Sequence, residues 1–324
     1  MADALYCPLA RTHTDSLEAW LNPVRSLALA AIVVLLAGPA QAAQPGFAFL
    51  EIPAGARAAA MGGAYSAVAT GAEAAFWNPA GLAKFKGTQF TATHTETYEN
   101  LRQEHVAIAG RMWGGGLAAS VRALYTEPIE ERDELGNLLG TFGSHDLEFL
   151  AGYGWQPSGN LSLGFTGQFV RERIADLGAT TWAVGGGAVW APATLEGLRA
   201  SAGIHNVGTA GHYMFGDVEG QPVPLPTAFH AGLAYQRKAF QNLTALVSLE
   251  GRATSGRPML YAVGGELDSP VGAAIRVGYR TNDDVASWSA GLGWRTSVLG
   301  VDYAYVPSKL DLDATHRFTL SAQF

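Results

Sequence analysis

Residues able to do chemistry are few and scattered in this chain. His105, His205, His230 and His316 stand far apart in the sequence, each inside a stretch of alternating polar and apolar residues. Imidazoles make a metal site only when three or four donors converge, and this spacing favours isolated positions in a wall. The acidic run EPIEERDELGN holds Glu127, Glu130, Glu131, Asp133 and Glu134. It lacks the Asp-x-Asp-x-Asp-Gly order of a calcium loop and reads as a solvated surface. The chain has no His-Glu-x-x-His, Gly-x-Ser-x-Gly, phosphate-binding loop or dinucleotide fingerprint. No catalytic residue, cofactor site or metal ligand is therefore assigned, and an enzyme is not expected. Net charge is −7 without any Lys/Arg-rich run, which argues against nucleic acid as a partner.

The informative pattern lies in what would hold such residues. The chain ends in HRFTLSAQF, where Phe318, Leu320, Ala322 and Phe324 alternate with Arg317, Thr319, Ser321 and Gln323. Period-2 alternation marks a strand with two unlike faces. WSAGLGW sets Trp288, Ala290, Leu292 and Trp294 against Ser289, Gly291, Gly293 and Arg295, and LTALVSLEGR repeats the pattern with Leu246 as its one misfit. Aromatics gather at strand ends: Tyr153 and Trp155 close one segment, while Trp182 and Trp190 bracket another. That placement fits the girdles of an outer-membrane barrel better than a soluble sandwich. With 40 glycines and only 15% charged residues in 324, the composition is also unlike that of soluble domains, where charge is about 25%.

About fourteen such segments begin near residues 88, 103, 115, 146, 160, 180, 198, 227, 242, 259, 271, 286, 298 and 314. Their connections sort by parity. The longest, 126–145 and 206–226, fall on one side, whereas RMWG, QPSGN, APATLEG, RKAFQ, DSP and TS fall on the other. Transmembrane barrels have long external loops and short periplasmic turns. The expected fold is an all-β transmembrane barrel of about 14 antiparallel strands over residues 88–324, in the outer membrane of a Gram-negative-type bacterium.

Residues 1–42 read as a signal peptide: Arg25, the apolar run SLALAAIVVLLAG, and Ala40 and Ala42 as an A-x-A cleavage site. Residues 1–23 are acidic and long for such a leader, so Val24 is an alternative start. Either way the single cysteine, Cys7, is lost on export. Residues 43–87 are rich in Ala and Gly and do not alternate. Ala56 to Val68 and Ala72 to Trp77 are expected as short helices, the second ended by Pro79. A lumen of fourteen strands is too wide for wall side chains to fill, so this segment is expected as an internal hatch, the alternative being a periplasmic extension. The glycine triplets Gly114–Gly116 and Gly185–Gly187 are expected to make room for it or to relieve curvature.

The segment FLEIPAGARAAAMGGAYSAVATGAEAAFWNPAGLAKF resembles the opening of PorV/PorQ-type outer-membrane proteins, a branch of the FadL-like barrels. Arg57, Met61, Gly62, Gly63 and Ala64 match one block and Asn78, Pro79, Ala80, Gly81 and Leu82 another. GTFGSHDLEF, IHNVG, PLPTAFHAGLAY, VDYAYVP and THRFTLSAQF resemble later blocks. The resemblance implies a fourteen-stranded barrel plugged by its N-terminus, with those hatch residues in a structural or gating role. It also implies that Phe318, Leu320 and Phe324 form the C-terminal signal read by the outer-membrane assembly machinery, with the stripe facing lipid.

Two functions follow from the resemblance. The first is a component related to type IX secretion that binds exported proteins through their C-terminal sorting domains. Tyr213, Met214 and Phe215 in the second long loop are then the candidate partner-binding residues, unless the loop folds them over the barrel mouth. The alternative is a FadL-like transporter of long-chain fatty acids or other hydrophobic small molecules.

Overall fold

The structure, a computed structural model, describes residues 44–97, 101–239, 242–310 and 312–324; the leader at residues 1–42 lies outside them. Residues 44–87 form short pieces. A 3-10 turn at Ala48–Glu51 precedes helix α1 (Ala56–Ala60), a second turn at Gly71–Glu73 runs into α2 (Ala74–Trp77), and a third spans Pro79–Leu82. The first helix is far shorter than Ala56 to Val68. Gly62 and Gly63 take φ of 67° and 84°, a left-handed backbone that closes the helix just past Met61. At the end of α2, Asn78 is extended (φ −165°, ψ 107°) before Pro79, and its side chain accepts the Ala80 N–H at 3.1 Å. The chain thus breaks where proline forbids α geometry and restarts on an Asn cap.

The strands are β1 (Thr88–Glu96), β2 (Arg102–Met112), β3 (Gly115–Tyr125), β4 (Ile129–Arg132), β5 (Leu138–Phe142) and β6 (His145–Ser158). They continue with β7 (Leu161–Ile174), β8 (Leu177–Trp190), β9 (Leu198–Gly208), β10 (Gly211–Phe215), β11 (Val218–Val223) and β12 (Ala228–Lys238). The last are β13 (Thr244–Thr254), β14 (Leu260–Asp268), β15 (Ala273–Arg280), β16 (Trp288–Arg295), β17 (Leu299–Val306) and β18 (Thr315–Gln323). Fourteen of them close into one barrel in chain order, β1 meeting β18 from Gln89↔Gln323 to Glu96↔His316. Each barrel strand begins within three residues of its expected start. The remaining four make two hairpins, β4–β5 and β10–β11, inside the two longest connections.

One rim carries tight turns such as Trp113–Gly114 and Gly159–Asn160, and the other carries the long loops. The parity is not strict: the β1–β2 and β13–β14 connections on the long-loop side are shorter than the β8–β9 connection on the other, and the β7–β8 connection is shorter still. Between β7 and β8 only Ala175 and Asp176 intervene on the long-loop side, because both strands run to 14 residues and the hairpin itself projects.

Side chains alternate as a membrane wall requires. Phe149, Phe165, Trp182, Leu233, Leu292 and Trp294 are exposed on the outer face, whereas Arg122, Glu148, Gln168, Glu250 and Arg276 are buried inside. An apolar exterior over a polar interior inverts the soluble arrangement and suits lipid outside. Leu246, the misfit in its strand, points inward and joins an apolar cluster with Tyr65, Val68 and Ala234.

Candidate functional site

The lumen is filled by residues 44–87. Helix α1 lies against β15 to β18, and the pieces from Gly71 to Leu82 lie against β1 to β3 and β6 to β8. An irregular segment leaves backbone N–H groups without partners, and burying them unpaired is costly. Wall side chains supply the acceptors. Thr319 Oγ1 accepts the Ala56 N–H at 2.9 Å, Ser289 Oγ that of Gly62 at 3.1 Å, and Gln89 Oε1 that of Ala72 at 2.9 Å. Glu250 Oε2 accepts from both Tyr65 and Ser66, at 3.0 and 2.8 Å. The polar inner face of the wall is thus matched to the backbone it encloses.

Glycines in the wall let backbone meet backbone. An ideal Cβ placed on Gly164 would lie 2.3 Å from the Pro79 carbonyl carbon, and one on Gly187 would lie 2.2 Å from Asn78 Oδ1. On the opposite side a Cβ on Gly278 would stand 2.1 Å from the Gly62 nitrogen. Asn78 and Pro79 therefore seat on β7 and β8, and Met61 with Gly62 seats on β15. Ala80 and Leu82 are buried within the first seat, Gly81 leaves no room for a Cβ beside Ala69 O (2.1 Å), and Gly63 faces the Trp77 ring.

An ion chain ties the segment to the wall. The Arg57 guanidinium donates to both oxygens of Glu266, Arg276 donates to Glu266 and to Asp302, and Arg57 also lies over the Tyr65 ring at 5.4 Å. Each charge has an opposite partner, the condition under which buried ions are tolerated.

Between the segment and the long-loop rim lies a chamber of about 380 Å³. Leu50, Ile52, Phe76 and Trp77 line it from the segment, and Gln168, His205, Glu250, Arg252 and Leu260 line it from the wall. Arg252 stands over the Trp77 ring at 5.2 Å. Beside the chamber, Arg122 is held between Phe49 and Phe76, 5.3 and 4.8 Å from their centroids, pairs with Glu148 at 2.7 Å, and donates to the Ile52 carbonyl. The His205 and His230 rings stack at 4.7 Å, His105 meets Phe76 edge-on, and His316 Nδ1 is 2.8 Å from Tyr303 Oη. Among the described residues no three His, Cys, Asp or Glu side chains converge as metal ligands. The arrangement sets aromatic rings beside fixed cations.

The first described residues lie near the long-loop rim: the Gly46 N–H reaches the Pro224 carbonyl at 3.0 Å, and Phe47 is buried against Gly211 and Ala179. Tyr213, Met214 and Phe215 do not share a face. Tyr213 packs on the cluster of Phe47, Phe49 and Leu225 and donates its hydroxyl to Glu172, while Met214 and Phe215 are exposed. At the C-terminus, Phe318 and Leu320 point outward and Arg317 and Thr319 inward. Phe324 exchanges backbone hydrogen bonds with Thr88 at 2.9 and 3.0 Å, extending the β1–β18 seam by one residue. Sequence reading missed Phe76, Arg122, Arg252, Glu266, Arg276 and Asp302. The available signal was charge at inward positions of alternating strands, which a barrel bearing only water inside does not need in complementary pairs.

The sequence model of an uncharacterised protein family, UPF0164, matches residues 29–168. No curated protein matches the sequence. Among solved structures the chain is similar to the toluene transporter TbuX of Ralstonia pickettii, with a TM-score of 0.59 and 15% identity over 83% of this chain and 98% of that one. The two share a closed barrel of antiparallel strands, fourteen of them in this chain. The Pseudomonas putida toluene transporter TodX (0.57, 12% identity, 83% and 96% covered) and the monoaromatic hydrocarbon channel CymD (0.56, 14%, 83% and 97%) share it. These likenesses are to transporters and channels, and at such identities they establish architecture.

Proposed function

We propose that the protein is a conduit for small hydrophobic or amphipathic molecules across the outer membrane, with residues 44–87 as the plug that a passing molecule must negotiate. The observation that carries this reading is the chamber on the plug, where half-buried Phe76 joins Ile52 and Leu260 in an apolar lining beside the polar residues of the wall. The filled lumen excludes the wide water path of a porin. A guest that partitions onto aromatic rings replaces poorly hydrated surface on both partners, so entering the chamber is favourable without an energy source. The plug is a set of short pieces joined at glycines rather than one packed helix. The toluene transporters and the hydrocarbon channel that share the fold support the same reading.

The test is uptake of labelled toluene by cells stripped of their own hydrophobic-compound channels and expressing this protein, with sucrose as the hydrophilic comparison. Toluene uptake above the vector control with sucrose excluded is the expected result; equal entry of both, or neither, would sink the reading. Receipt of exported proteins, implied by the PorV/PorQ resemblance, has one structural foothold in the exposed Met214 and Phe215. A pull-down with a C-terminal sorting domain, repeated on a variant with both residues changed to Ser, decides it.

A further inference from the structure

The outer face of the wall is uneven over β3, β6, β7 and β8. Ala119, Ala151 and Gly167 stand side by side in register, exposed toward lipid, and an ideal Cβ on Gly167 would meet nothing within 4 Å. Bulky rows flank these small residues. Trp182, Phe169 and Phe149 form the row nearer the long-loop rim. Phe165, Tyr153 and Leu117 form the row nearer the short-turn rim. Between them runs an apolar trough of about 1350 Å³ on the lipid-facing side.

The same outward stripe of β7 then turns from apolar to charged. After Phe165, Gly167 and Phe169 come Arg171 and Arg173. With strand tilt allowed for, Arg171 stands roughly 25 Å above Leu161, the height of a barrel's apolar band. It therefore lies at the level of the lipid headgroups. Arg171 lines a second hollow, of about 600 Å³, with Thr180, His212, Met214 and Glu219, and Phe169 borders both hollows. Glu219 is held by His212 at 3.1 Å, and Arg173 pairs with Asp176 at 3.9 Å. Arg171 makes no ion pair or hydrogen bond among the described residues.

An apolar trough and a bare guanidinium, separated by one aromatic side chain, address a molecule with acyl chains and a negative head. The guanidinium fork fits phosphate oxygens in two-point fashion, and a basic group at headgroup height is a common basis of lipid recognition. Long loops are external in such barrels, so the leaflet at Arg171 is the outer one, where the lipid is a phosphorylated glycolipid. A second copy of the chain joined face to face would bring the same arginines and no anion for them.

We infer that this face of the wall holds a phosphorylated glycolipid of the outer leaflet, of the lipid A kind, with an acyl chain in the trough at Gly167 and a phosphate on Arg171. The site lies outside the lumen and stands apart from the conduit reading.

The experiment is native mass spectrometry of the intact barrel released from a non-ionic detergent after incubation with diphosphoryl lipid A, with its dephosphorylated form, or with phosphatidylethanolamine. Lipid A is expected to stay on the barrel about fivefold or more over either of the others, and inorganic phosphate at equal concentration should not displace it. Arg171→Gln, checked as a folded barrel by its heat-modifiable migration, should bring lipid A down toward its dephosphorylated form and leave that form unchanged. Gly167→Leu, which fills the trough from the lipid side, should lower retention of both forms. Equal retention of lipid A and either comparison lipid by the wild type would overturn the inference, and needs no variant to fold. So would unaltered lipid A retention in either variant, displacement by inorganic phosphate, or recovery of lipid-free pairs of barrels that Gly167→Leu separates.

Discussion

Arg57 and Glu266, 209 residues apart in sequence, face each other through two hydrogen bonds, Nε to Oε2 at 2.7 Å and Nη2 to Oε1 at 2.5 Å. One belongs to the lumenal segment and the other to β14, so this contact joins that segment to the wall. Removing one partner of a buried pair costs up to about 3–5 kcal/mol when the other charge is left alone, and less here because Arg276 still pairs with Glu266. Arg57→Ala should therefore loosen residues 44–87 without opening the barrel. The expected result is proteolytic cleavage within the segment while heat-modifiable migration persists. An Arg57→Ala barrel as protease-resistant as the wild type would show that the pair does not hold the plug.

Gly164 and Gly167 lie on one strand and differ in what surrounds them. A Cβ at Gly164 would meet Pro79 and Ala80 backbone at 2.3 and 2.5 Å, whereas at Gly167 nothing lies within 4 Å. Overpacking against backbone that cannot swing away costs about 1–3 kcal/mol. Gly164→Ala should lower the melting midpoint in detergent and Gly167→Ala should leave it in place. Equal midpoints for the two variants would argue that Asn78 and Pro79 are not seated as described.

Glu73 is buried in the segment, and burial, reinforced by the Asp302 carboxylate, pushes its carboxyl up to about 7. The folded chain then holds a proton between the ordinary carboxylate value and about pH 7 that the unfolded chain has released. Stability of the seated plug accordingly falls as pH rises through that interval. Hydrogen exchange of residues 71–77 should be slower at pH 5 than at pH 8, after correction for the intrinsic rate. Glu73→Gln should remove this dependence and keep the slow behaviour throughout.

Phe324 contributes two separable things, a ring exposed to the outside and a backbone hydrogen-bonded to Thr88. Phe324→Ala removes the ring alone, and deletion removes both. If the assembly machinery reads the aromatic end, the two variants should show similarly reduced heat-modifiable barrel in the outer membrane. If closing the seam is what matters, only the deletion should. Undiminished barrel from both would dismiss either role.

The wall was legible because a sheet with lipid on one side and protein on the other must alternate, and alternation survives in a single sequence. Strand starts such as Leu198 and Thr88 follow from it directly. The segment before the wall stands out in composition, as a stretch without alternation, but its path does not. Its anchors, Arg57 to Glu266 or Ser66 to Ser201 (135 residues apart), depend on closure of the whole ring, and no local period encodes them. Helix α1 was over-read because alanine favours helix through Ala60 and the backbone reversal at Gly62 and Gly63 outweighs propensity in the residues beyond. The hairpins β4–β5 and β10–β11 went unseen since their residues, Pro222 among them, carry the signature of loops.

The lumenal segment runs from Gly46, bonded at the long-loop rim, to Gly87, beside Phe324 at the opposite rim. It therefore threads the ring that its own chain goes on to close. Since β1 and β18 come from the two ends of the barrel sequence, closure is the contact of longest range and the slowest to form. Until it forms, both strands have unpaired edges open to other chains. The order of assembly is thus constrained: the leading segment has to be in place before the last seam shuts, or else be drawn through a finished cylinder end-on. A barrel that closed early would be hollow, and its misassembly would be detectable as a leak rather than as an aggregate.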